Sequence, residues 1–299
     1  MHIPVLFDQV INAINPQDGQ NIIDATFGGG GHTRGILDSA NCNVYAIDRD
    51  KEAGDRASQL IDQYNGRLFF HHGQFADLSS ILSQYNIKFD AILFDFGVSS
   101  YQLDQAERGF SFMRDGPLDM RMNGMQDCQT AHDIVNNYDE DQLSQILFVY
   151  GDERLSRQIA KAIVLARKTK YSECGISRTH QLRDIIHSVY KTNKIHGIDV
   201  ATKTFQAIRI YVNDELRQIQ DVLNSLQYIM KNEASLVTIS FHYLEDRIVK
   251  NWASSHRNQN ESGIIVKQIG GTIKPTNQEI KSNVRSRSAI MRHYKIHIL

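Results

Sequence analysis

The sequence predicts an α/β protein built on a doubly wound sheet, with an all-helical domain inserted after the fourth strand. Three observations carry that reading. Within the first hundred residues, short apolar runs alternate with amphipathic helical patterns, the arrangement of a parallel sheet buried on both faces. After Asp95 the alternation stops, and an irregular stretch gives way to helical patterns alone. Strand patterns resume at Ser235.

The elements follow in order. "NIIDATF" reads as a buried strand and "GHTRGILDSA" as the helix after it. "NCNVYAIDRD" is a second strand, followed by a helical pattern from Lys51 to Tyr64. "RLFFHHG" and "FDAILFDFG" supply the third and fourth strands, with a helix near Leu78 to Tyr85 between them. Residues 97–127 are rich in Gly, Asp, Arg, Met and Ser with no steady period; irregular stretches of that length are usually functional or disordered. "DERLSRQIAKAIVLARK" and "RTHQLRDIIHSVY" are helical. In the run from Lys203 to Met230, Ile208, Val212, Leu216, Ile219, Leu223 and Leu226 recur at three- and four-residue steps, which predicts one long amphipathic helix. "SLVTISFH", "GIIVKQIGG" and "SAIMRHYKIHIL" read as three further strands. The expected division is residues 1–127 with 201–299 for the sheet domain, and 128–200 for a helical insertion.

At 299 residues the chain can bury an ample core. Its apolar runs fall far short of a membrane span, and "MHIPVLFDQV" lacks a signal-peptide pattern, so a cytoplasmic protein with no membrane partner is expected. Cys42, Cys128 and Cys174 are few, odd in number and widely spaced, which fits reduced thiols and neither a disulfide framework nor a zinc site. Net charge is −1, yet Arg247 to Leu299 holds ten Lys/Arg against two acids. A basic region of that kind can contact phosphate, or can be a solvated surface.

The first strand runs into "TFGGGGHTRG", four consecutive glycines before a helix. Strand, glycine turn and helix place backbone N–H groups against a ligand. The dinucleotide fingerprint wants a third small residue at position 33, and Thr33 fits it poorly. Asp24 gives instead D-x-x-x-G-x-G, which suits an S-adenosylmethionine site better; the acid would bond the loop or face the donor's ammonium group. Asp48, ending the second strand, can accept both ribose hydroxyls of either nucleoside. Phe75, after the third strand, can pack on an adenine face or in the core. Asp95 closes the fourth strand in "DFGVSS", at the edge where ligands bind in such sheets, and is the candidate acceptor for a substrate amine.

The stretch "FDFGVSSYQLDQAERGFSFMRDGPLDMRM" makes the match specific. With "HIPVL", "DATFGGGGHTRGIL", "AIDRD", "KTFQAIRIYVNDEL", "ISFHYLEDRIVK" and "KPTNQEI…RSRSA", it resembles the bacterial RsmH (MraW) family over nearly the whole chain and in family order. The resemblance implies a class I, Rossmann-like methyltransferase domain with an inserted helical domain that recognises substrate. It implies S-adenosylmethionine-dependent methylation of the exocyclic N4 of a cytidine in small-subunit (16S) ribosomal RNA, free or in an assembled subunit. Donor contacts carry over onto Gly30, Gly31, His32, Asp48, Phe75, Asp95 and Gln102. Four positions depart from the family pattern: Gly29 for a frequent Arg, Phe96 for Leu, Tyr243 for the common Ser, and "DVATKTF" without the usual Pro and Arg.

Other readings are weaker. His242 and Glu245 form an H-x-x-E pair, but no second histidine sits at ligand spacing, so no metal is expected. The charges of residues 107–122 can recognise RNA or bridge one another, and Lys203 and Arg209 can be solvated helix charges. A dehydrogenase would need a catalytic pair for hydride transfer that the sequence does not offer, and a donor-binding module without chemistry fits poorly with an intact 94–122 stretch. Arg285, Arg287 and Arg292 are expected on a terminal strand, contacting RNA phosphate.

Overall fold

The structure, a computed structural model, describes residues 4–123, 129–258 and 263–299. His2 and Ile3 of "HIPVL", Cys128 and the expected domain border at 127–128 lie outside the described residues. The chain forms two compact units, residues 1–97 with 216–299, and residues 98–215.

The first unit begins with α1 (Phe7–Ile14) and continues β1 (Asn21–Asp24), α2 (Gly31–Ser39), β2 (Asn43–Asp48), α3 (Lys51–Ile61), β3 (Leu68–His72), α4 (Leu78–Leu82) and β4 (Phe89–Asp95). These four strands are parallel, in spatial order β3-β2-β1-β4. Neighbouring strand residues part to opposite faces, as a two-residue period requires. Ile22, Val44 and Leu93 join one apolar cluster with α1, α2 and α3, while Ile23, Tyr45 and Phe94 join another with α4. Both faces are therefore buried, which is why these strands read as continuous apolar runs.

The second unit holds α5 (Ser100–Asp104), α6 (Ala131–Asn137), α7 (Glu140–Gly151), α8 (Ser156–Lys168), α9 (Thr179–Tyr190), the two-residue strands β5 (Lys194–Ile195) and β6 (Ile198–Asp199), and α10 (Thr202–Asn213). Its own core includes Leu118, Ile134, Leu147, Ile163, Leu182 and Ile208. It differs from an all-helical expectation by the small antiparallel pair β5–β6. It also begins earlier and ends later than the 128–200 span, because "GFSFMRDGPLDMRM", without helical period, still contributes Phe110, Leu118, Met120 and Met122 to this core.

The single long helix expected from Lys203 to Met230 is two helices. Asp214 takes φ 49°, and its N–H bonds the carbonyls of Ile210 and Tyr211, a left-handed cap that ends α10. The chain returns to the first unit through α11 (Glu215–Ile229), β7 (Met230–Ser240), α12 (Tyr243–Ser255), β8 (Ile264–Gln268), α13 (Asn277–Ser282) and β9 (Ile290–Ile298). β7 joins β4 in parallel, and β9 inserts antiparallel between β7 and β8. The complete order β3-β2-β1-β4-β7-β9-β8 is that of a class I methyltransferase sheet. No helix among the described residues is long and apolar enough to cross a membrane.

Candidate active site

The glycine turn joins β1 to α2. Gly28 and Gly30 take φ 54° and 73°, where a Cβ is strained. A Cβ on Gly30 would also stand 2.7 Å from Leu60 Cδ1 and Phe27 Cζ, and one on Gly31 would overlap Pro4 Cγ. At positions 30 and 31 the glycines thus serve close packing of the protein as well as access to the loop backbone. Asp48 holds the turn from β2: its carboxylate accepts the Gly28 N–H at 2.7 Å and the Asp50 N–H at 2.8 Å.

Asp24, 1% exposed, accepts from the Thr33 hydroxyl at 2.6 Å and from the Thr26 N–H at 3.2 Å. Of the two tasks open to this acid, bonding the loop is therefore met within the protein. It also explains Thr33, whose hydroxyl ties α2 to β1 where a dinucleotide loop carries a small residue. Thr26 completes the tie to β4 by accepting the Asp95 N–H at 2.7 Å.

Asp95 stands at the end of β4 with its side chain 25% exposed and its Oδ1 without a hydrogen-bond partner. His32 Nε2 lies 3.7 Å from Asp95 Oδ2, beyond hydrogen-bond range. Both His32 ring nitrogens are buried without partners, and the ring stacks near Phe7 at 6.2 Å between centroids. Burial lowers the His32 pKa to about 4, so the imidazole is neutral. Burial, reinforced by Asp24 and Glu245, pushes Asp95 up to about 8; burial lifts Asp24 to about 6 and raises Asp48 as well. The influences on Asp24 and Asp95 are desolvation, hydrogen bonds and other carboxylates. Carboxyl groups are thus crowded here and held back from ionising together, a setting that a cation would relieve.

Glu245 enters from α12. Its Oε2 accepts the N–H groups of Phe241 and His242 at 2.7 and 3.2 Å, and a Cβ on Gly97 would lie 3.8 Å from its Oε1. The H-x-x-E pair is a helix cap: His242 Nδ1 accepts the Glu245 N–H. Phe75 is half-buried after β3, edge-on to Phe94 and Phe96 at centroid distances of 5.9 and 6.0 Å. Gln102 lies in the other unit, buried, where Ser99 and Gln102 form the reciprocal cap of α5.

Several charges resolve as structural. In the second unit Arg121 is bidentate to Asp119, Arg178 pairs with Asp115, and Arg209 is bidentate to Glu215. Lys203 Nζ donates to the Asp152 carbonyl at 2.8 Å. In the first unit Arg292 is bidentate to Asp246 at 2.7 and 2.9 Å, both side chains nearly buried. That corrects its reading as a phosphate contact: the guanidinium already neutralises a buried acid. Arg285 and Arg287 are exposed, as expected, but lie on a 3-10 turn, Val284–Ser288, and not on a strand. Sequence reasoning missed the Asp246–Arg292 pair, and also Glu279, whose carboxylate accepts the Leu6 N–H at 2.7 Å and so ties "KPTNQEI" to "HIPVL".

A family model described as the MraW methylase family matches residues 1–297. The chain belongs to the MraW methylase family. Among relatives of this MraW family member, a protein of Ehrlichia chaffeensis named "Ribosomal RNA small subunit methyltransferase H" is 42% identical over 98% of both chains. Its namesake in Anaplasma phagocytophilum is 43% identical over 97% of both. The one in Rhodospirillum rubrum is 42% identical, over 97% of this chain and 93% of that one. Among solved structures, a putative rRNA-methylase of Clostridium thermocellum overlays at a TM-score of 0.46 and 10% identity, over 99% of this chain and 100% of that one. The fold of this MraW family member rests on its own strand order instead.

Proposed function

We propose that the chain transfers the methyl group of S-adenosylmethionine to the exocyclic N4 amine of a cytidine in small-subunit ribosomal RNA. The observation that carries this reading is the buried, partnerless Asp95 Oδ1 at the end of β4, beside a glycine turn, in a chain whose relatives are named as small-subunit rRNA methyltransferases. The residues fit the donor. Asp48 has spent one lone pair of each oxygen, and a carboxylate oxygen has two, so it can still accept ribose hydroxyls. Gly30, Gly31 and His32 begin α2, Phe75 offers a half-buried ring to the adenine, and the crowd of carboxyls suits a cation. Gln102, which the family resemblance also names, belongs to the other unit.

When bound, the donor supplies an electrophilic methyl group on a cationic sulfur. The chain's task is then positioning, because the cytosine N4 lone pair is delocalised into the ring and must be turned toward the methyl. Asp95 changes role with its surroundings. Near pH 7 its carboxyl holds a proton; a positive charge within about 4–6 Å lowers a carboxyl by roughly 1–3 units, enough to ionise it. It then accepts the amine's hydrogen bonds and its departing proton. The target base must be unpaired or flipped to reach this edge. The unit spanning residues 98–215 is proposed to recognise the RNA, in a cytoplasmic enzyme.

The test is transfer of tritiated methyl to small-subunit rRNA, as free RNA and as assembled subunits, followed by nucleoside analysis. The label is expected in N4-methylcytidine. Label on another atom, or none on either substrate, overturns the reading.

A further inference from the structure

The exposed face of α12 has no part in the site as described. Its outward residues Tyr243, Arg247 and Lys250 fall at i, i+4 and i+7, on one side of the helix. Tyr243 is 64% exposed although the Arg247 guanidinium stands over its ring, 5.2 Å from the centroid. An exposed ring with a guanidinium beside it is a stacking platform for a base. The two acids of α12 are turned inward: Glu245 is 0% exposed and holds the N–H groups of Phe241 and His242, and Asp246 is paired with Arg292. The remaining exposed residues are Asn251, Ser254 and Ser255. The outward face of α12 is therefore aromatic, basic and free of acids.

Its place in the fold matters equally. α12 follows β7, whose Ile239 is the register partner of Asp95 and whose Ile239 carbonyl accepts the Phe96 N–H. Tyr243 thus sits at the carboxyl edge of the sheet, two residues from Glu245, which itself acts on Asp95. A ring, a guanidinium and an ammonium in line, leading away from that edge, match a single nucleic-acid strand: bases stack on the aromatic and phosphates meet the cations.

We propose that the outward face of α12 is a track for the single-stranded RNA flanking the target nucleotide, with a neighbouring base stacked on Tyr243 and the phosphates of that strand on Arg247 and Lys250. This rests on the RNA reading above. Tyr243 stands where the resembled family commonly has Ser, so the stacking contact would be a feature of this chain in particular, sharpening its hold on the substrate.

The test uses the full chain and a fluorescein-labelled, unstructured oligoribonucleotide, titrated by anisotropy at several salt concentrations. Tyr243→Ala should weaken binding roughly 5- to 150-fold, the range of one lost base stack, and Tyr243→Phe should restore it. Arg247→Gln with Lys250→Gln should flatten the log–log salt dependence by about 1.4, roughly 0.7 per lost single-strand phosphate contact. In methyl transfer the same variants should raise KM for RNA and spare kcat, the mark of lost uniform binding, while donor affinity and thermal unfolding stay at wild-type values. If the wild-type chain methylates rRNA and the variants match it in affinity, salt slope and KM, the track is overturned and the reaction stands. If the variants weaken oligoribonucleotide binding as described but the wild-type chain transfers no methyl to rRNA, the track stands and the proposed reaction falls.

Discussion

Replacing Asp95 by asparagine should make the protein more stable while abolishing its chemistry. Folded Asp95 keeps its proton up to about pH 8, whereas an unfolded aspartate releases it near 3.8. Between those values the folded state binds more protons than the unfolded state, so stability falls as pH rises through the window. At about 1.36 kcal/mol per pH unit, the penalty relative to acid conditions is roughly 4 kcal/mol at pH 7 and between 1 and 2 kcal/mol at pH 5. Asparagine keeps the shape and cannot ionise, so Asp95→Asn should gain about that much, and the gain should grow with pH. Urea unfolding followed by Trp252 fluorescence measures it. Trp252 is the chain's single tryptophan and is buried in the core of the sheet unit. An Asp95→Asn gain that is absent, or equal at the two pH values, would refute the raised acid and with it the change of role on donor binding.

Asp48→Ala should weaken S-adenosylmethionine by roughly 1.5–3 kcal/mol, tenfold to over a hundredfold; unchanged affinity in calorimetry would remove Asp48 from the donor site. Arg292→Gln should cost about 3–5 kcal/mol in urea unfolding, because it leaves Asp246 buried without its partner. Arg285→Gln with Arg287→Gln should flatten the salt dependence of RNA binding by about 1.4, and an unchanged slope would mark that turn as plain surface. Bridging residue 97 to residue 216 with a short linker should leave a sheet unit that keeps Asp48 and the glycine turn and still binds donor, more weakly for the loss of Gln102, and does not methylate RNA. Loss of cooperative unfolding in that fragment would show that the two units do not fold independently.

The sheet was legible because both of its faces are buried, so each strand is written as an apolar run bounded by polar turns. The places of Asp24, Asp48 and Asp95 at strand ends were legible for a related reason, because the apolar runs stop at each of them; that edge is where a parallel sheet receives ligands. The borders of the second unit were not. Leu118 and Met120 enter its core from a stretch without periodicity, held by turns and charges instead of by a helix. The break at Asp214 was hidden because apolar residues keep their three- and four-residue steps across it, while the left-handed cap falls on an aspartate and not on a glycine. Arg292 misled for a different reason. A basic residue in a basic segment looks solvated until its partner, 46 positions away in the chain, is brought beside it.

The strand order also sets a timetable for synthesis. β4 is flanked by β1 and β7, and β7 leaves the ribosome only after the whole of residues 98–215. β9 then has to seat itself between β7 and β8. The guest unit, contiguous in sequence, can close while its host still waits with one hydrogen-bonding edge of β4 unpaired. Nascent domains generally fold in N-terminal order; here the order is inverted, and an open strand edge is a template for wrong pairing. Until residues 290–298 emerge, β7 and β8 lack the strand that joins them, and a premature stop anywhere in that stretch would strip the sheet of an interior strand and not of a fringe.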